Sequence, residues 1–458
     1  MMWYLVVAAV CILYVYWSFR MYPGNMPVYP GKLPLLGNLS LFLGDAVVIT
    51  DPDDCNQVLS SYFERPGFAN KFLRPFLGDG LLVGPGSIWK DRRKLISPSF
   101  NQQVIDSFLD IFNKQSRRLV KSWEEYVGDE NFDHHDYLEK TALETVCLTM
   151  AGVDITQQRE YNNRCLTAFR TLVDRVIERA KNPFYYTELI YSMSALKKTE
   201  DSNVAISHQL TDQVLQRKRE EYNTDQKIID PKSESKFKPF LHRLLDFSNT
   251  SLSDKDIKDE MNNIIFAGSQ SSSAVVAYTL LLLGTYPEIQ QKCRKQILDV
   301  FGDSDRDVSK ADLTQLKYLD AVLKETMRLC PVAPFTGRII TEDTKLKNAV
   351  LRKGLVCGVM LYGVLNNPEL WGSDVNEFVP ERWLEPNRLP ENPRAMGSFG
   401  YGKRNCIGKI YAIMTMKVSI VHILRRYRVT GNYHNMKLKN QVINKPARGH
   451  EIRIELLE

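Results

Sequence analysis

The fold of this chain is decided by the stretch Phe399-Gly-Tyr-Gly-Lys-Arg-Asn-Cys406-Ile-Gly408. Glycines on both sides of Cys406 let the backbone pass close to a flat, bulky group. Arg404 lies two residues before Cys406, where its charge would favour the thiolate or pair with an adjacent anion. A helix that begins just after Cys406 would direct its positive end towards the same sulfur. The stretch therefore predicts a stabilised thiolate beside a flat ligand.

The same residues allow two other interpretations. Gly397 through Gly402-Lys403 follows the pattern G-x-x-x-x-G-K, which begins a phosphate-binding loop. Position 404 holds arginine instead of the serine or threonine that would hold magnesium, and no buried strand precedes the loop. The phosphate-binding interpretation is therefore weak. A structural cysteine buried in a glycine-rich turn stays open for these residues taken alone.

The composition indicates a globular protein, with 44% hydrophobic and 25% charged residues among 458, which excludes a wholly disordered or fibrous chain. Lysine and arginine number 60 against 54 acidic residues, and the net charge of +6 is too small to indicate nucleic-acid binding. The eight cysteines include no Cys-x-x-Cys pair, so neither a zinc ribbon nor a disulfide framework is indicated.

The N-terminus contains an uncharged apolar run, Met2 to Phe19, which ends at Arg20. A helix needs about 20 apolar residues to cross a bilayer, so this run is just long enough. A cleaved secretory signal is the alternative, but no basic residue precedes the run and no Ala-x-Ala-like site follows it. We expect an uncleaved anchor with Arg20 and Lys32 on the cytoplasmic side. The predicted division is an anchor at 1–20, a proline-rich linker at 21–38 and a soluble domain at 39–458.

The clearest helix is predicted from Ser253 to about Tyr286, within a mostly helical region. Ser253 and Asp256 form an N-terminal capping signal, and the almost wholly apolar residues 274–284 should be buried on all sides. A second helix is predicted from Thr314 to Cys330. β-like runs follow at 337–340 and 355–359, then an irregular stretch at 368–394 and a helix at 407–427. The chain is therefore predicted to be mostly α with a small β region, an α+β fold.

The cysteine stretch is similar to the haem-binding loop of the cytochrome P-450 superfamily, F-x-x-G-x-R-x-C-x-G. The resemblance continues upstream in the family's order and covers nearly the whole chain from about Pro23. The matching segments are Glu325-Thr-Met-Arg328 for E-x-x-R, Pro380-Glu-Arg382-Trp for P-E-R-F, Trp89-Lys-Asp-Arg-Arg93 for W-x-x-x-R, and a proline-rich segment from Pro30-Gly31 through Gly37-Asn38. Residues 302–306 and 316–319 resemble the membrane-bound family-four clan. The resemblance implies the P-450 fold, with a long central helix over haem and an N-terminal membrane anchor.

The resemblance implies that residues 39–458 form a haem-binding catalytic domain with haem b as its cofactor. Cys406 matches the axial ligand of the haem iron, whose thiolate favours cleavage of the O–O bond. Phe399 begins the cofactor-binding loop. Ala267 stands where many family-four members have a glutamate that bonds covalently to haem. Haem is therefore expected to be non-covalent apart from the bond between Cys406 and iron.

Haem carries two propionates, which need cationic or hydrogen-bonding partners inside the protein. Trp89, Arg93 and Arg404 match the family's propionate partners, and Arg338 matches a further one. Core packing is the alternative for Trp89, and a solvated loop charge is the alternative for Arg338. By the same resemblance, a buried structural network that shapes the cysteine loop consists of Glu325, Arg328 and Arg382.

The long helix departs from the family's A/G-G-x-D/E-T-T stretch, which lies over haem. Gln270 replaces the acid and cannot deliver a proton as a carboxyl group can. Ser271 replaces threonine and keeps a hydroxyl that can hold water and bound oxygen, so both are assigned as catalytic residues. The alternative is a polar segment that bonds back to its own helix and bends it. A second departure is the short segment between Asn38 and Ala46, where the family has a helix and strands.

The resemblance implies a monooxygenase that inserts one atom of O₂ into a lipophilic substrate, such as a fatty acid or a xenobiotic. Electrons would come from NADPH through a separate flavoprotein reductase, with a cytochrome b-type donor as an alternative, because no G-x-G-x-x-G fingerprint is present. The expected location is the endoplasmic reticulum (microsomal) membrane, with the catalytic domain in the cytosol. Two alternative functions stay open. The first is a reductase-independent isomerase or dehydratase, which Gln270 motivates. The second is a non-catalytic haem protein from a truncated gene, which the short segment between Asn38 and Ala46 motivates.

Basic residues concentrate around the cysteine stretch. From Arg382 to Arg428 there are ten lysines or arginines and two glutamates, a local balance of +8 against +6 for the whole chain. Complementary charge accelerates the encounter of two proteins. We therefore expect an acidic reductase to dock here, with Lys403, Lys409 and Lys417 as contacts; a solvated face without a partner is the alternative.

Overall fold

The computed structural model describes residues 46–128, 131–225, 240–248, 251–439 and 442–457. The predicted anchor, the predicted linker and the short segment before Ala46 lie outside the described residues. The helices before the central helix are α1 Pro52–Ser61, α2 Gly67–Leu77, α3 Gly86–Ile96, α4 Gln102–Asp106, α5 Leu109–Ser122, α6 His134–Val146, α7 Arg159–Lys181, α8 Glu188–Ser192, α9 Ala195–Asp225 and α10 Phe240–Asp246.

The central helix α11, Asp254–Thr285, confirms the predicted long helix. Ser253 and Asp256 form a reciprocal capping box at its start, and every residue from 274 to 284 is buried. Among the described residues it is the one helix that is long and apolar enough to span a membrane, but most of it lies inside the protein core. Helix α6 packs along it. The helix therefore crosses the domain and supplies one wall for any site beside it.

The predicted helix from 314 to 330 is wrong in one respect, because the structure divides it in two. After α12, Pro287–Phe301, come α13, Lys310–Gln315, and α14, Lys317–Leu329. The fully buried Leu316 separates them with a non-helical ψ of 59°. The side-chain oxygen of Gln296 accepts hydrogen bonds from the amides of residues 318 and 319, at 3.1 and 3.2 Å. These bonds satisfy the free amides that a new helix start exposes, so the break is stabilised by a neighbouring helix.

The strands form four small sheets among the described residues. The three-stranded sheet has the order β1-β5-β2, with β1 Ala46–Ile49 parallel and β2 Phe335–Ile339 antiparallel to β5 Val356–Met360. The other pairs are β3 Thr344–Lys345 with β4 Val350–Leu351, β6 Tyr427–Gly431 with β9 Ile452–Leu456, and β7 Lys437–Lys439 with β8 Lys445–Arg448. Strands β2 and β5 confirm the two predicted β-like runs. The fold is mostly α with a small β region, as predicted.

The proline-rich stretch after β5 is irregular, as expected, apart from short helices. These are α15 Leu361–Leu365, α16 Pro368–Trp371 and single 3₁₀ turns at Pro380–Trp383, Pro386–Arg388 and Pro393–Ala395. The last helix, α17, runs over Lys409–Arg426 and so begins two residues later than predicted. Most helices surround α11 in one large apolar core, while α1 and the three-stranded sheet share a smaller one. The cysteine stretch lies where these parts of the fold meet.

Candidate active site

Cys406 lies on the wall of a cavity of about 1670 Å³, part of which is open to solvent. Of the seven cysteines in the described ranges, six are buried and Cys406 alone is exposed, with its exposed surface towards this cavity. The loop is closed by a 2.9 Å hydrogen bond from the amide of Cys406 to the carbonyl of Phe399. Gly402 has a φ of +66°, and a Cβ there would collide with the carbonyl of Leu59. The loop therefore presents one sulfur to the cavity.

The charge around the sulfur differs from the expectation. Burial raises the pKa of the Cys406 thiol, while the amide of Gly408 and the charges of Arg93 and Lys409 oppose that shift by favouring the thiolate. Arg404, which was predicted to favour the thiolate or to pair with an adjacent anion, donates to the carbonyls of Phe63 and Gly84 and lines the cavity. Arg93 also holds the loop, because it donates to the carbonyl and the side-chain oxygen of Asn405 at 2.8 and 3.0 Å.

The opposite wall of the cavity is the central helix. Ile264, Phe266, Ala267 and Ser271 line the cavity from α11, so a largely apolar surface faces the cysteine loop. The hydroxyl of Ser271 donates to the carbonyl of Ala267 at 2.8 Å, the back-bond that was the alternative interpretation. A flat group held at Cys406 would lie between this helix and the loop.

Gln270 does not line the cavity, although it was predicted as a catalytic residue beside Ser271. Its side chain is 4% exposed, and its amide nitrogen is buried without a hydrogen-bond partner among the described residues. Successive helical residues point about 100° apart, so neighbours of equal polarity can face different surroundings. The structure brings Ser271 to the site and turns Gln270 into the protein interior.

Four arginines line the cavity without an acidic partner: Arg93, which holds the cysteine loop, and the group Arg65, Arg338 and Arg404. In the described part of the chain none of them forms an ion pair, and the Nε atoms of Arg65 and Arg404 have no hydrogen-bond partner. Burial lowers the pKa of Arg65 to about 10, and burial with mutual repulsion lowers those of Arg338 to about 9 and Arg404 to about 8. Buried cations need counter-ions, so this wall fits an anionic ligand such as a pair of carboxylates.

The neighbours of these arginines hold them in place. Trp89 is 4% exposed, stacks on Phe63 with ring centroids 5.3 Å apart, and lies 5.1 Å from the Arg404 guanidinium carbon. It therefore packs in the core and also lines the cavity. Arg338 is 1% exposed and donates to the carbonyls of Tyr62 and Gly337, so the alternative of a solvated loop charge is wrong. Phe399 lines the cavity at the start of the loop.

The structure joins Glu325, Arg328 and Arg382 in one buried network. Glu325 accepts two 2.9 Å hydrogen bonds from Arg328 and one of 2.9 Å from Arg382. Trp383 donates to the same carboxylate at 2.8 Å, and Arg382 also pairs with Asp374 at 3.2 Å. The network ties α14 to the irregular stretch that precedes the cysteine loop. None of its members lines the cavity, so they act as supports.

Sequence reasoning missed Arg65 and Asn405. Arg65 precedes a proline in an irregular segment, and no local pattern distinguishes it from a surface arginine. Asn405 lies inside the recognised stretch, but its bond to Arg93 joins residues 312 positions apart. Only the tertiary fold brings these groups to the site.

The cavity places one cysteine opposite an apolar helix and beside arginines that lack counter-ions. This arrangement fits a thiolate-ligated haem protein, in which the haem carboxylates would pair with those arginines. The comparisons agree with this class. The family model for cytochrome P450 matches residues 39–452. Cytochrome P450 4V2 of Pongo abelii is 33% identical over 84% of this chain and 75% of its own length. The human protein of that name is 32% identical, and cytochrome P450 4d1 of Drosophila simulans is 31% identical over 85% of this chain and 79% of its own.

This chain belongs to the cytochrome P450 family and resembles its family-four members. It is therefore a haem-thiolate monooxygenase, an oxidoreductase whose haem b is bound through a cysteine thiolate. Proteins of this family take electrons from a redox partner and act on lipophilic molecules with O₂.

Proposed function

We propose that Cys406 is the axial ligand of the haem iron and that this site oxidises a fatty acid or a xenobiotic-like molecule. The observation that supports this proposal is that Cys406 alone among the described cysteines is exposed to the large cavity. When bound, haem supplies the activation of O₂, which its thiolate ligand promotes. The protein supplies ligation, orientation and control of water. Ala267 cannot bond to haem, so the cofactor is held without a second covalent link.

The chain's own residues divide the remaining tasks. Arg65, Arg338 and Arg404 neutralise the haem carboxylates, and Trp89 packs beside them. Arg93 holds the cysteine loop through Asn405 and favours the thiolate. Leu81, Leu82, Ile264, Phe266 and Leu361 supply apolar surface for a lipophilic substrate. Ser271 holds a hydroxyl on the cavity wall where oxygen and substrate would meet.

Electrons reach this site from an NADPH-dependent flavoprotein reductase or a cytochrome b-type donor that docks on the basic face near the loop. Lys403 and Lys409 are exposed and support this proposal. The expectation for Lys417 is wrong, because Lys417 is 4% exposed, pairs with Asp320 at 3.0 Å and donates to the carbonyl of Leu313. The docking surface is therefore limited to the exposed lysines.

The domain is attached to the endoplasmic reticulum membrane by an anchor at 1–20 and a linker at 21–38, with the catalytic domain, 39–458, in the cytosol. An apolar patch in the described residues supports membrane contact. Phe184, Leu189, Ile190 and Met193 are 70%, 71%, 44% and 78% exposed, respectively. Large apolar side chains clustered on a surface indicate a membrane or a protein partner. Removal of residues 1–20 should leave weakened, patch-dependent binding to vesicles.

The carbon-monoxide difference spectrum of the reduced protein tests the proposal. The wild type should give the long-wavelength band of thiolate-bound haem, and Cys406→Ala should abolish it. Cys357→Ala is the matched control, because Cys357 is fully buried in the smaller core and does not line the cavity. Loss of the band in Cys357→Ala alone, or no band in the wild type, would contradict the assignment.

A second candidate function follows from Gln270. Its buried amide leaves no carboxyl at the position where the family has an acid, and a haem-thiolate isomerase or dehydratase needs no proton delivery for oxygen reduction. This enzyme would convert a lipid hydroperoxide without reductase or NADPH. Turnover under those conditions favours the second candidate, whereas product formed only with NADPH and reductase favours the monooxygenase.

A further inference from the structure

A second cavity lies at the surface, where the start of α7 meets the second half of α9. It encloses about 980 Å³, part of which is open to solvent. We name it the guanidinium cavity, after the residues Arg159, Arg164 and Arg217 that line it. The other lining residues come from the turn before α7 and from the same two helices, and they are Gln157, Gln158, Glu160, Tyr161 and Gln213.

The three arginines of the guanidinium cavity have no acidic partners. Arg159, Arg164 and Arg217 are exposed, and in the described part of the chain none of them forms an ion pair or donates a side-chain hydrogen bond. The other arginines of the two helices each pair with a carboxylate, and these are Arg170, Arg175, Arg179 and Arg219. Among the arginines of α7 and α9, the lack of an acidic partner is therefore confined to those that line this cavity.

The nearby acids do not neutralise these arginines. Glu160 lies four residues before Arg164 on α7, a spacing at which side chains of a helix can pair, but the two form no ion pair. Asp212, beside the cavity on α9, pairs with Lys258 at 2.7 Å. The cavity lining therefore keeps three positive charges against one negative charge. A cleft lined by one sign of charge concentrates ions of the other sign, and guanidinium groups bind phosphate through paired hydrogen bonds.

Three amides and one ring give the guanidinium cavity contacts that a bare charged surface lacks. Gln157, Gln158 and Gln213 line it with side chains that hydrogen-bond to no other described residue. Each amide can donate and accept hydrogen bonds. The Tyr161 hydroxyl donates to the carbonyl of Ile206 in α9 at 3.0 Å, which fixes the ring at the wall and joins the two helices. The lining therefore suits a phosphate group attached to a small polar molecule.

The guanidinium cavity lies far from the apolar patch for which we propose membrane contact. Helix α7 has 23 residues, so its start and its end are about 33 Å apart. The patch on α8 follows the end of α7, whereas the cavity lies at its start. Helix α9 packs along α7, and its two lining residues lie in its second half, away from α8. Charge is screened over about 8 Å at physiological salt, so the cavity meets soluble anions and not lipid headgroups.

We propose that the guanidinium cavity is a binding site for a soluble phosphorylated small molecule. Its phosphate oxygens accept hydrogen bonds from Arg159, Arg164 and Arg217, and its polar remainder bonds to the glutamine amides. The guanidinium cavity and the haem cavity share no lining residue. The proposal is therefore independent of the reaction at haem.

Calorimetric titration of the full-length holoenzyme with inorganic pyrophosphate, in phosphatidylcholine nanodiscs at physiological salt, tests the proposal. We expect one saturable site per chain. Arg164→Gln combined with Arg217→Gln should weaken binding roughly tenfold or more, because it removes charged donors. Arg352→Gln combined with Arg448→Gln is the matched control, since it removes two exposed arginines outside the cavity and should keep the wild-type affinity. Equal losses in both double variants, or no saturable site in the wild type, would overturn the proposal.

Two further titrations distinguish the source of the anion. Phosphatidylserine added to the nanodiscs should leave the affinity for pyrophosphate unchanged, and competition by this lipid would overturn the proposal by placing the cavity at the membrane. A polyglutamate peptide should bind more weakly than pyrophosphate. Tighter binding of the peptide that is lost in the Arg164 and Arg217 double variant would make an acidic protein the occupant and would also overturn it. The carbon-monoxide band should be the same in every variant, so a failure here leaves the haem-thiolate assignment intact.

Discussion

The buried carboxylate of Glu260 accepts a 3.0 Å hydrogen bond from the backbone amide of Leu81. Two further bonds attach the same loop, which precedes α3, to the central helix. The side chain of Asp259 accepts a hydrogen bond from the amide of Asp79, and the side chain of Asn263 accepts one from the amide of Leu82. Leu81 and Leu82 line the haem cavity, and Arg404 donates to the carbonyl of Gly84 in the same loop. The central helix therefore positions both an apolar wall of the site and one of its arginines.

Glu260 makes the stability of the domain depend on pH. Burial raises its pKa to about 7, whereas an unfolded glutamate titrates near about 4.3. The folded state binds the proton of Glu260 more tightly than the unfolded state does. Protonated Glu260 therefore contributes to the free energy of unfolding, and this contribution is fully present below about pH 4.3 and declines as pH rises to about 7. Glu260→Gln should flatten that decline in denaturant unfolding between those pH values. The exposed control Glu391→Gln should not change the pH dependence, and parallel curves for Glu260→Gln and wild type would reject the prediction.

Arg382→Ala should destabilise the domain strongly. Removal of one partner from a buried ion pair costs about 3–5 kcal/mol, because Glu325 keeps a buried charge with fewer donors. Arg388→Ala is a close control, since Arg388 pairs with the same Asp374 at 2.9 Å but its side chain is 35% exposed. Its loss should cost less than about 1 kcal/mol. Thermal unfolding and haem content of both variants measure the difference, and similar losses would show that burial of the network is unimportant.

Arg65→Met should affect the haem-free and haem-bound protein in opposite directions. In the haem-free protein it removes one of three mutually repelling arginines without acidic partners, so stability should rise. Hydrogen bonds to charged groups contribute about 1.5–3 kcal/mol, so haem should dissociate roughly tenfold faster. Haem transfer to an acceptor protein and thermal unfolding of both forms measure the two effects. Arg394→Met removes an exposed ion pair with Asp53 and should change neither the stability nor the rate of haem dissociation. If Arg65→Met changes the stability of the haem-free and haem-bound proteins in the same direction, Arg65 does not hold haem carboxylates.

The features that could be predicted from the sequence are those with local causes. The capping box of Ser253 and Asp256 and the apolar run after residue 274 specify α11 without help from the rest of the chain. The break at Leu316 depends instead on Gln296 from α12, and the burial of Gln270 depends on what packs around the central helix. Arg65 reaches the cavity only when distant segments of the chain meet. The cysteine loop was recognisable because its glycines, arginine and cysteine are adjacent in the chain.

Lys417 shows why local charge alone does not define a docking face. It lies in the basic segment, but burial and its pairing with Asp320 remove it from the surface. Lys403 and Lys409 remain exposed near the cysteine loop, where an acidic reductase would meet them. Charge complementarity mainly accelerates encounter and is screened over about 8 Å at physiological salt.

Lys403→Glu with Lys409→Glu should therefore slow haem reduction by the reductase and flatten its dependence on salt, as stopped-flow reduction would measure. Lys409 also contributes to the charge near Cys406, so the carbon-monoxide band and reduction by dithionite must be unchanged for the comparison to hold. Lys353→Glu reverses an exposed charge between β4 and β5 and should leave reduction as fast as in the wild type. Lys417→Glu should instead lower stability, because it places a carboxylate beside Asp320 in a buried position. Reduction that is equally fast in the double variant at low salt would place the docking face elsewhere.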